Sequence, residues 1–130
     1  MRRYGRGMTE YKITRLGIYG DGIAEGPVFA PMTLAGEVVT GTLEGSNLRD
    51  VKIVTPSDDR VAPPCKHFKA CGGCQLQHAS DDLVAAFKTD VVAQALAAQG
   101  LQTEIRPIVT SPAQTRRRAT FAARRTKKKP

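Results

Sequence analysis

Residues 11–54 consist of short strand-like segments separated by glycines and prolines, and this pattern restricts the folds that the chain can adopt. Five segments have the β-branched or alternating composition of short strands, at residues 11–16, 23–26, 28–30, 37–43 and 50–54. An open sheet of such strands leaves unpaired edges, which closure into a barrel removes. The spacing therefore predicts a β-rich chain that begins with a small five-stranded barrel of the SH3 or OB type.

The three cysteines of the chain lie within ten residues, with the spacing Cys65-x5-Cys71-x2-Cys74. The surrounding stretch has no helical or strand periodicity, and Gly72 and Gly73 allow tight turns within it. An odd number of cysteines cannot all form intramolecular disulfides, and nothing indicates an oxidising compartment. A shared task as thiolate ligands is the simplest explanation of the clustering.

Three kinds of site are consistent with this arrangement of cysteines. The first is a 4Fe–4S cluster, whose fourth ligand would lie outside the chain. The second is a tetrahedral zinc site in which His67 or His78 joins the three cysteines. The third is a redox pair, Cys71-Gly72-Gly73-Cys74, which lacks the expected βαβ context and leaves Cys65 unexplained. Spacing alone leaves iron–sulfur and zinc open, and we expect each histidine to be an ordinary loop or surface residue.

A helix is predicted directly after the cysteine loop. Ser80 can cap it, and Asp81 and Asp82 lie where the helix dipole favours negative charge. An apolar face recurs every four residues, and a glycine provides a stop: Leu83, Phe87, Val91, Ala95 and Gly100. Residues 101–109 and 117–121 have an extended character, so residues 81–130 are predicted to be an amphipathic helix and strands of an incomplete α+β domain.

The net charge of +8 is concentrated at the two ends of the chain. Residues 1–8 are predicted to be a flexible basic arm, and residues 116–130 contain basic but no acidic side chains. Such ends attract polyanions because each neutralised phosphate releases a counterion, although solvated tails have the same composition. Nucleic acid is therefore the first partner to consider, and five arginines are candidate contacts: Arg116, Arg117, Arg118, Arg124 and Arg125.

Several classes of protein are excluded or disfavoured. No apolar run approaches the roughly 18–20 residues that a membrane-spanning helix needs, so no membrane contact is expected. No apolar region follows Arg2 and Arg3, so we expect a cytoplasmic rather than a secreted protein. A complete nucleotide-binding enzyme with its own substrate domain does not fit into 130 residues. Nothing in the sequence indicates a protein partner.

Four sequence stretches carry a resemblance to a known family. They are residues 16–24 (LGIYGDGIA), 28–31 (VFAP), 34–39 (LAGEVV) and 65–78 (CKHFKACGGCQLQH), of which the last is the most specific. Over about residues 9–125 the chain resembles the N-terminal part of the RNA uracil-5-methyltransferases, which are class I S-adenosylmethionine-dependent enzymes acting on rRNA or tRNA. It departs from the family pattern at Ala35, where a proline is usual, and at Lys69, where a small residue is common.

The resemblance implies a role for each part of the chain. Residues 9–57 would form a TRAM domain, an OB-like barrel, and residues 58–80 a loop in which Cys65, Cys71 and Cys74 ligate a 4Fe–4S cluster. Residues 81–130 would begin a central domain, and the catalytic methyltransferase domain would be absent. S-adenosylmethionine would then bind only the full-length enzyme, and this chain alone would be inactive. A different interpretation of the same residues is a stand-alone RNA-binding module with a structural zinc site.

Overall fold

The turn-rich first half of the chain forms a closed five-stranded barrel. In the computed structural model, which describes residues 9–121, 123, 125 and 127, the strands are β1 (Glu10–Leu16), β2 (Gly22–Ala24), β3 (Val28–Ala30), β4 (Val38–Glu44) and β5 (Asn47–Thr55). The strand order is β1-β2-β3-β5-β4, and β4 closes the barrel on β1. Neighbouring strands are antiparallel except β3 and β5, which pair in parallel through Phe29 and Asn47. The predicted five-stranded barrel is confirmed.

The barrel interior is filled by inward-facing aliphatic side chains, at least one from every strand. The buried cluster comprises Ile13, Ala24, Val28, Ala30, Val39 and Leu48. Register shifts interrupt β1 between Ile13 and Arg15, and β4 at two places. Such irregularities bend and twist strands, which a sheet of only five strands needs in order to close.

The strand ends differ from the sequence prediction most clearly in β5. This strand begins at Asn47, three residues before the predicted start, because β4 and β5 meet in a tight hairpin at Gly45, where φ is +61°. Asp50 has a φ of +50° within the strand, opposite a register shift in β4. A left-handed residue inside a strand has no sequence signal other than the tolerance of Asp for this conformation.

Gly22 is required by close packing at the start of β2. A Cβ atom at this position would lie 2.8 Å from Ile13 Cγ2 and would overlap Thr33 Oγ1. Thr33 is fully buried and donates its hydroxyl to the carbonyl oxygen of Ala30 at 2.8 Å. The glycine therefore lets the segment after β3 pack directly against β1 and β2.

In the part of the chain that the structure describes, two helices follow the barrel. One is the single turn α1 (Phe68–Cys71), which buries Phe68 within a loop that the sequence predicted to be irregular. The other is α2 (Asp81–Ala98), which is capped by Ser80 as predicted. At its end the amide of Leu101 donates to Leu96 O at 3.0 Å, and Gly100 has a φ of +70°. Neither described helix combines the length and the apolar character that crossing a bilayer requires.

Residues 101–121 form no strand, so the strands predicted at residues 101–109 and 117–121 are wrong for the structure as described. This segment is exposed throughout except for a half-buried Ile105. Strand formation needs a neighbouring backbone to accept and donate hydrogen bonds, and the described residues offer none here. The basic arm predicted at residues 1–8 lies outside the described residues.

Candidate functional site

A buried ion pair joins the barrel to the segment that follows it. Glu37 is fully buried, and its Oε1 accepts from Arg60 Nε at 2.6 Å while its Oε2 accepts from Arg60 Nη2 at 3.0 Å. The same carboxylate accepts from the backbone amides of Leu34 at 2.8 Å and Ser57 at 3.2 Å. Arg60 Nη2 also donates to Met32 O at 2.8 Å. One carboxylate therefore ties the segment before β4 to the segment after β5.

Burial and hydrogen bonding act in opposite directions on the pKa of Glu37. Burial raises the pKa, but hydrogen bonds from Arg60, Leu34 and Ser57, together with the positive charge of Arg60, outweigh it and lower the pKa below the usual 4.5. Glu37 is therefore ionised in the folded protein at neutral pH. Glu37 lies at the start of a predicted strand, and no local pattern reveals its role because its partner lies 23 residues away.

The cysteine loop, defined as residues 61–78, is closed at its base. Arg60 and Ala79 form an isolated antiparallel bridge, and the Val61 amide donates to His78 O at 3.0 Å. Ser80 donates its hydroxyl to Asp59 Oδ1 at 2.8 Å and its amide to Asp59 O at 2.8 Å. The two ends of the loop are therefore held together, and Arg60 anchors them to the barrel.

Replacing Ser80 by alanine should destabilise the beginning of α2 by about 1 kcal/mol. The Ser80 hydroxyl accepts from the Leu83 amide at 3.2 Å while it donates to Asp59, so the substitution removes both bonds. Hydrogen exchange of the Leu83 and Val84 amides measures the effect. The control is Ser46→Ala, at an exposed serine in the β4–β5 turn, which should leave this exchange unchanged. Equal protection in the Ser80 variant and the wild type would contradict the prediction.

The three cysteines are free thiols, and all are exposed on the cysteine loop. Their chemistry suits a thiolate-ligated centre. In the part of the chain that the structure describes, however, no three His, Cys, Asp or Glu side chains lie close enough together to hold a metal ion. Ligation of a cluster by Cys65, Cys71 and Cys74 therefore stays a prediction.

The two histidines of the loop have opposite environments. His67 is exposed, as expected, but the expectation of a surface position is wrong for His78, whose exposed fraction is 1%. His78 packs against Phe68 with ring centroids 5.7 Å apart, and its Nε2 lies 3.3 Å from Thr33 O. Burial lowers the pKa of His78, opposed by the Thr33 carbonyl, so the neutral ring donates from Nε2. Nδ1 is buried and has no hydrogen-bond partner within residues 9–121 or the other described positions.

His78 and Phe68 together connect the cysteine loop to the barrel. Both rings are buried, although they belong to a segment with no periodicity from which burial could be predicted. The β1–β2 turn also contacts the loop closely, because a Cβ on Gly20 would lie 3.3 Å from Gln75 Cβ. The loop is thus seated on the barrel rather than projecting freely from it.

The candidate arginines are exposed where the structure describes them. This holds for Arg116, Arg117, Arg118 and Arg125, whereas Arg124 lies outside the described residues. Arg116 Nε donates to Arg118 O at 3.0 Å, which is a local contact. Their guanidinium groups are accessible to a partner, and nothing in the described residues gathers them into a defined pocket.

Helix α2 and the barrel leave a groove of about 750 Å³ between them. The predicted apolar face of α2 lines it through Leu83, Phe87, Val91 and Ala95, opposite Ile23 and Phe29 of the barrel. No residue of α2 is fully buried. The predicted residues line this groove, but apolar side chains lie on other sides of the helix as well, so α2 is only weakly amphipathic and is only partly covered by the described residues.

The fold defines a class of protein: a TRAM-like barrel that carries a cysteine-rich loop and a following helix. Its defining features are the strand order, the closure of the barrel and the attached loop. The solved tRNA (uracil-54, C5)-methyltransferase of Pyrococcus abyssi, in complex with S-adenosyl-L-homocysteine, shares this fold. Its TM-score is 0.53 at 24% identity, over 75% of this chain and 23% of that chain.

Curated relatives identify the family. A protein of Rhizobium meliloti named as an uncharacterized RNA methyltransferase is 46% identical over 125 residues, covering 89% of this chain and 30% of the relative. A Francisella tularensis protein named 23S rRNA (uracil(1939)-C(5))-methyltransferase RlmD is 44% identical over 84 residues, covering 58% of this chain and 19% of the relative. No family model matches the chain.

The chain belongs to the RNA methyltransferase family, and its resemblance to the N-terminal part of RNA uracil-5-methyltransferases is confirmed. It spans about 30% of the length of the Rhizobium relative. The identification depends on sequence similarity and on the barrel, and it is independent of how the three thiols are arranged.

Proposed function

We propose that this chain is the RNA-binding, cluster-bearing part of an RNA (uracil-5-)-methyltransferase that transfers a methyl group from S-adenosylmethionine to uracil C5 in rRNA or tRNA. The observation that carries the proposal is the 46% identity to an RNA methyltransferase over 125 residues. The closed barrel supports it, because barrels of this architecture commonly bind oligonucleotides.

The chain itself would bind RNA and would not perform the chemistry. The exposed Arg116, Arg117 and Arg118 supply positive charge for phosphates, and the barrel offers a further surface for RNA. S-adenosylmethionine would supply the methyl group in the catalytic part of the enzyme. None of the three cysteines matches the family's nucleophile motif, so we assign no catalytic residue to this chain.

The same proposal assigns Cys65, Cys71 and Cys74 as three ligands of a 4Fe–4S cluster. Three free, exposed thiols on one loop with a fixed base support the assignment. The cluster would need a fourth ligand from elsewhere and a rearrangement that brings the thiols together. Its contribution would be structural, since methyl transfer requires no electron.

Methyl transfer can be tested with a chimera in which this chain replaces the corresponding part of the Rhizobium relative. The chimera should form 5-methyluridine in rRNA or tRNA from S-adenosylmethionine, as detected by nucleoside mass spectrometry. The chain alone should form none. A folded chimera without activity, beside an active parent, would count against the proposal, and activity of the chain alone would overturn the assignment of roles.

Cluster binding can be tested by anaerobic reconstitution of the same chimera. We expect iron and acid-labile sulfide in equal amounts, and loss of both when Cys65, Cys71 or Cys74 is replaced by serine. The matched control is His67→Ala, an exposed change within the same loop, which should retain the iron. Zinc without sulfide, lost from the His67 variant, would contradict the cluster and support the structural zinc site.

A further inference from the structure

Two adjoining cavities lie where the cysteine loop meets the barrel. One has a volume of about 160 Å³ and is lined by the β1–β2 turn, the segment after β3 and the loop, including Tyr19, Lys69 and Gln75. The other has a volume of about 310 Å³ and is lined by Arg60, Val61 and His78, among others. Met32, Phe68 and Lys69 line both cavities, so the two adjoin at these side chains, and we treat them together. We refer to them as the loop cleft.

The side chains of the loop cleft combine an available aromatic ring with positive charge. Tyr19 is 83% exposed on the β1–β2 turn, and the fold does not use its ring as a core residue. Lys69 is exposed on α1, and Arg60 presents a side chain that is 24% exposed. Asp21 is the acidic residue among the lining side chains, while Glu37, the partner of Arg60, is fully buried. Because Glu37 pairs with Arg60, Lys69 is the cation of the cleft that has no ion pair among the described residues, and it can contact a phosphate.

A polar atom beneath the cleft also lacks a partner. His78 lines the larger cavity, its ring is buried, and Nδ1 has no hydrogen bond among the described residues. A buried nitrogen without a partner costs free energy, which a donor brought by a ligand or a water can offset. Because Nε2 donates to Thr33 O, the neutral ring has its lone pair on Nδ1, and Nδ1 can accept a hydrogen bond.

We propose that the loop cleft binds one unpaired nucleotide of the RNA, with its base stacked on Tyr19 and its phosphate beside Lys69. Aromatic rings and lysines in a groove are the features by which proteins hold single-stranded RNA. A duplex cannot supply a free base face to Tyr19, so the cleft selects a loop or a flipped nucleotide. This inference rests on the proposed RNA-binding function and adds a location and a substrate conformation to it.

The two residues proposed to contact the nucleotide lie on different elements of the fold. Tyr19 belongs to the barrel and Lys69 to the cysteine loop, and the two elements contact each other at Gly20 and Gln75. The proposed nucleotide site is therefore formed between the barrel and the loop.

The test measures binding of the full chain to a fluorescently labelled single-stranded oligouridylate, with a duplex RNA of equal length for comparison. Tyr19→Ala should weaken binding of the single strand about five-fold or more, while Tyr19→Phe should retain it. The matched control is Ile18→Ala, the neighbouring side chain on the same turn, which is 72% exposed and outside the cleft. It should bind as the wild type does.

Lys69 is tested by the salt dependence of the same binding. Lys69→Ala should reduce the slope of log affinity against log salt by about 0.7, the value for one phosphate of a single strand. Lys66→Ala removes an equal charge from the same loop but outside the cleft, and should leave the slope unchanged. Photocrosslinking of thiouridine-substituted RNA, mapped by mass spectrometry, should label Tyr19.

The outcomes separate this inference from the proposed function. If the chain binds the single strand but the Tyr19 and Lys69 variants match their controls, the cleft is not the site, whereas the methyltransferase proposal is unaffected. A preference for duplex RNA, or no binding of the oligouridylate, would also overturn it. An inactive chimera would instead contradict the proposed function.

Discussion

Glu37→Gln is expected to lower the free energy of unfolding by about 3–5 kcal/mol, the cost of breaking a buried ion pair by removing one partner. The substitution removes the charge that Arg60 faces at 2.6 Å and weakens the bonds from the Leu34 and Ser57 amides. Because these bonds hold the segment after β5, the base of the cysteine loop should loosen together with the barrel. Urea unfolding followed by circular dichroism measures the loss.

Glu44 provides the matched control for this prediction. It pairs with Arg49 at 3.1 Å, but the two side chains are 62% and 66% exposed. An exposed pair of this kind contributes less than about 1 kcal/mol because solvent screens the charges. The Glu44→Gln variant should therefore unfold almost as the wild type does. An equal loss of unfolding free energy in the Glu37 and Glu44 variants would contradict the role assigned to burial of the Glu37–Arg60 pair.

The same pair determines a part of the pH dependence of stability. The folded-state pKa of Glu37 lies below its usual 4.5, so its contribution is fully present above about pH 4.5 and is lost as the pH falls through the folded value. His78, whose pKa is lowered from 6.5, adds a loss that begins below about pH 6.5. The difference between wild type and Glu37→Gln isolates the first effect and should shrink in acid. A difference independent of pH would contradict it.

Leu48→Ala is expected to destabilise the barrel by about 2–5 kcal/mol. Leu48 is 1% exposed and lies in the core with Ile13 and Val39. Its removal leaves a cavity that five short strands can fill only by deforming the barrel. Thermal unfolding at neutral pH gives the size of the loss.

Leu43 is the control, since it is the residue of β4 that pairs with Leu48 in the register of the hairpin. It has the same side chain but is 46% exposed, so Leu43→Ala removes fewer contacts and leaves no closed cavity. We expect a loss below about 1 kcal/mol. Comparable losses at the two positions would mean that the interior of the barrel is not packed as described.

The barrel and helix α2 were predictable because their signals are local. Each strand shows an apolar or β-branched pattern within a few residues, and Ser80, Asp81 and Asp82 mark the beginning of the helix directly. The predicted strand at residues 117–121 has the same kind of composition but no neighbouring strand in the described residues. Composition indicates what a segment can form, whereas pairing decides whether it forms.

In the cysteine loop, local sequence signals predicted the cysteines but not the burial of the side chains around them. Spacing identified the loop and its three thiols, and sequence similarity confirmed the family. Nothing local distinguished exposed His67 from buried His78, which are only 11 residues apart. The difference arises because Phe68 and Thr33 meet at His78 from two other segments.

By itself the sequence indicated the strands of the barrel, the capped helix and the clustering of the thiols, since each of these signals lies in residues that are close together along the chain. Only the tertiary structure decided that Glu37 and Arg60 anchor the loop, that His78 is buried, and that Tyr19 and Lys69 line one cleft. These relations join residues 23–50 positions apart, and such pairings are set by how the elements pack rather than by any local pattern.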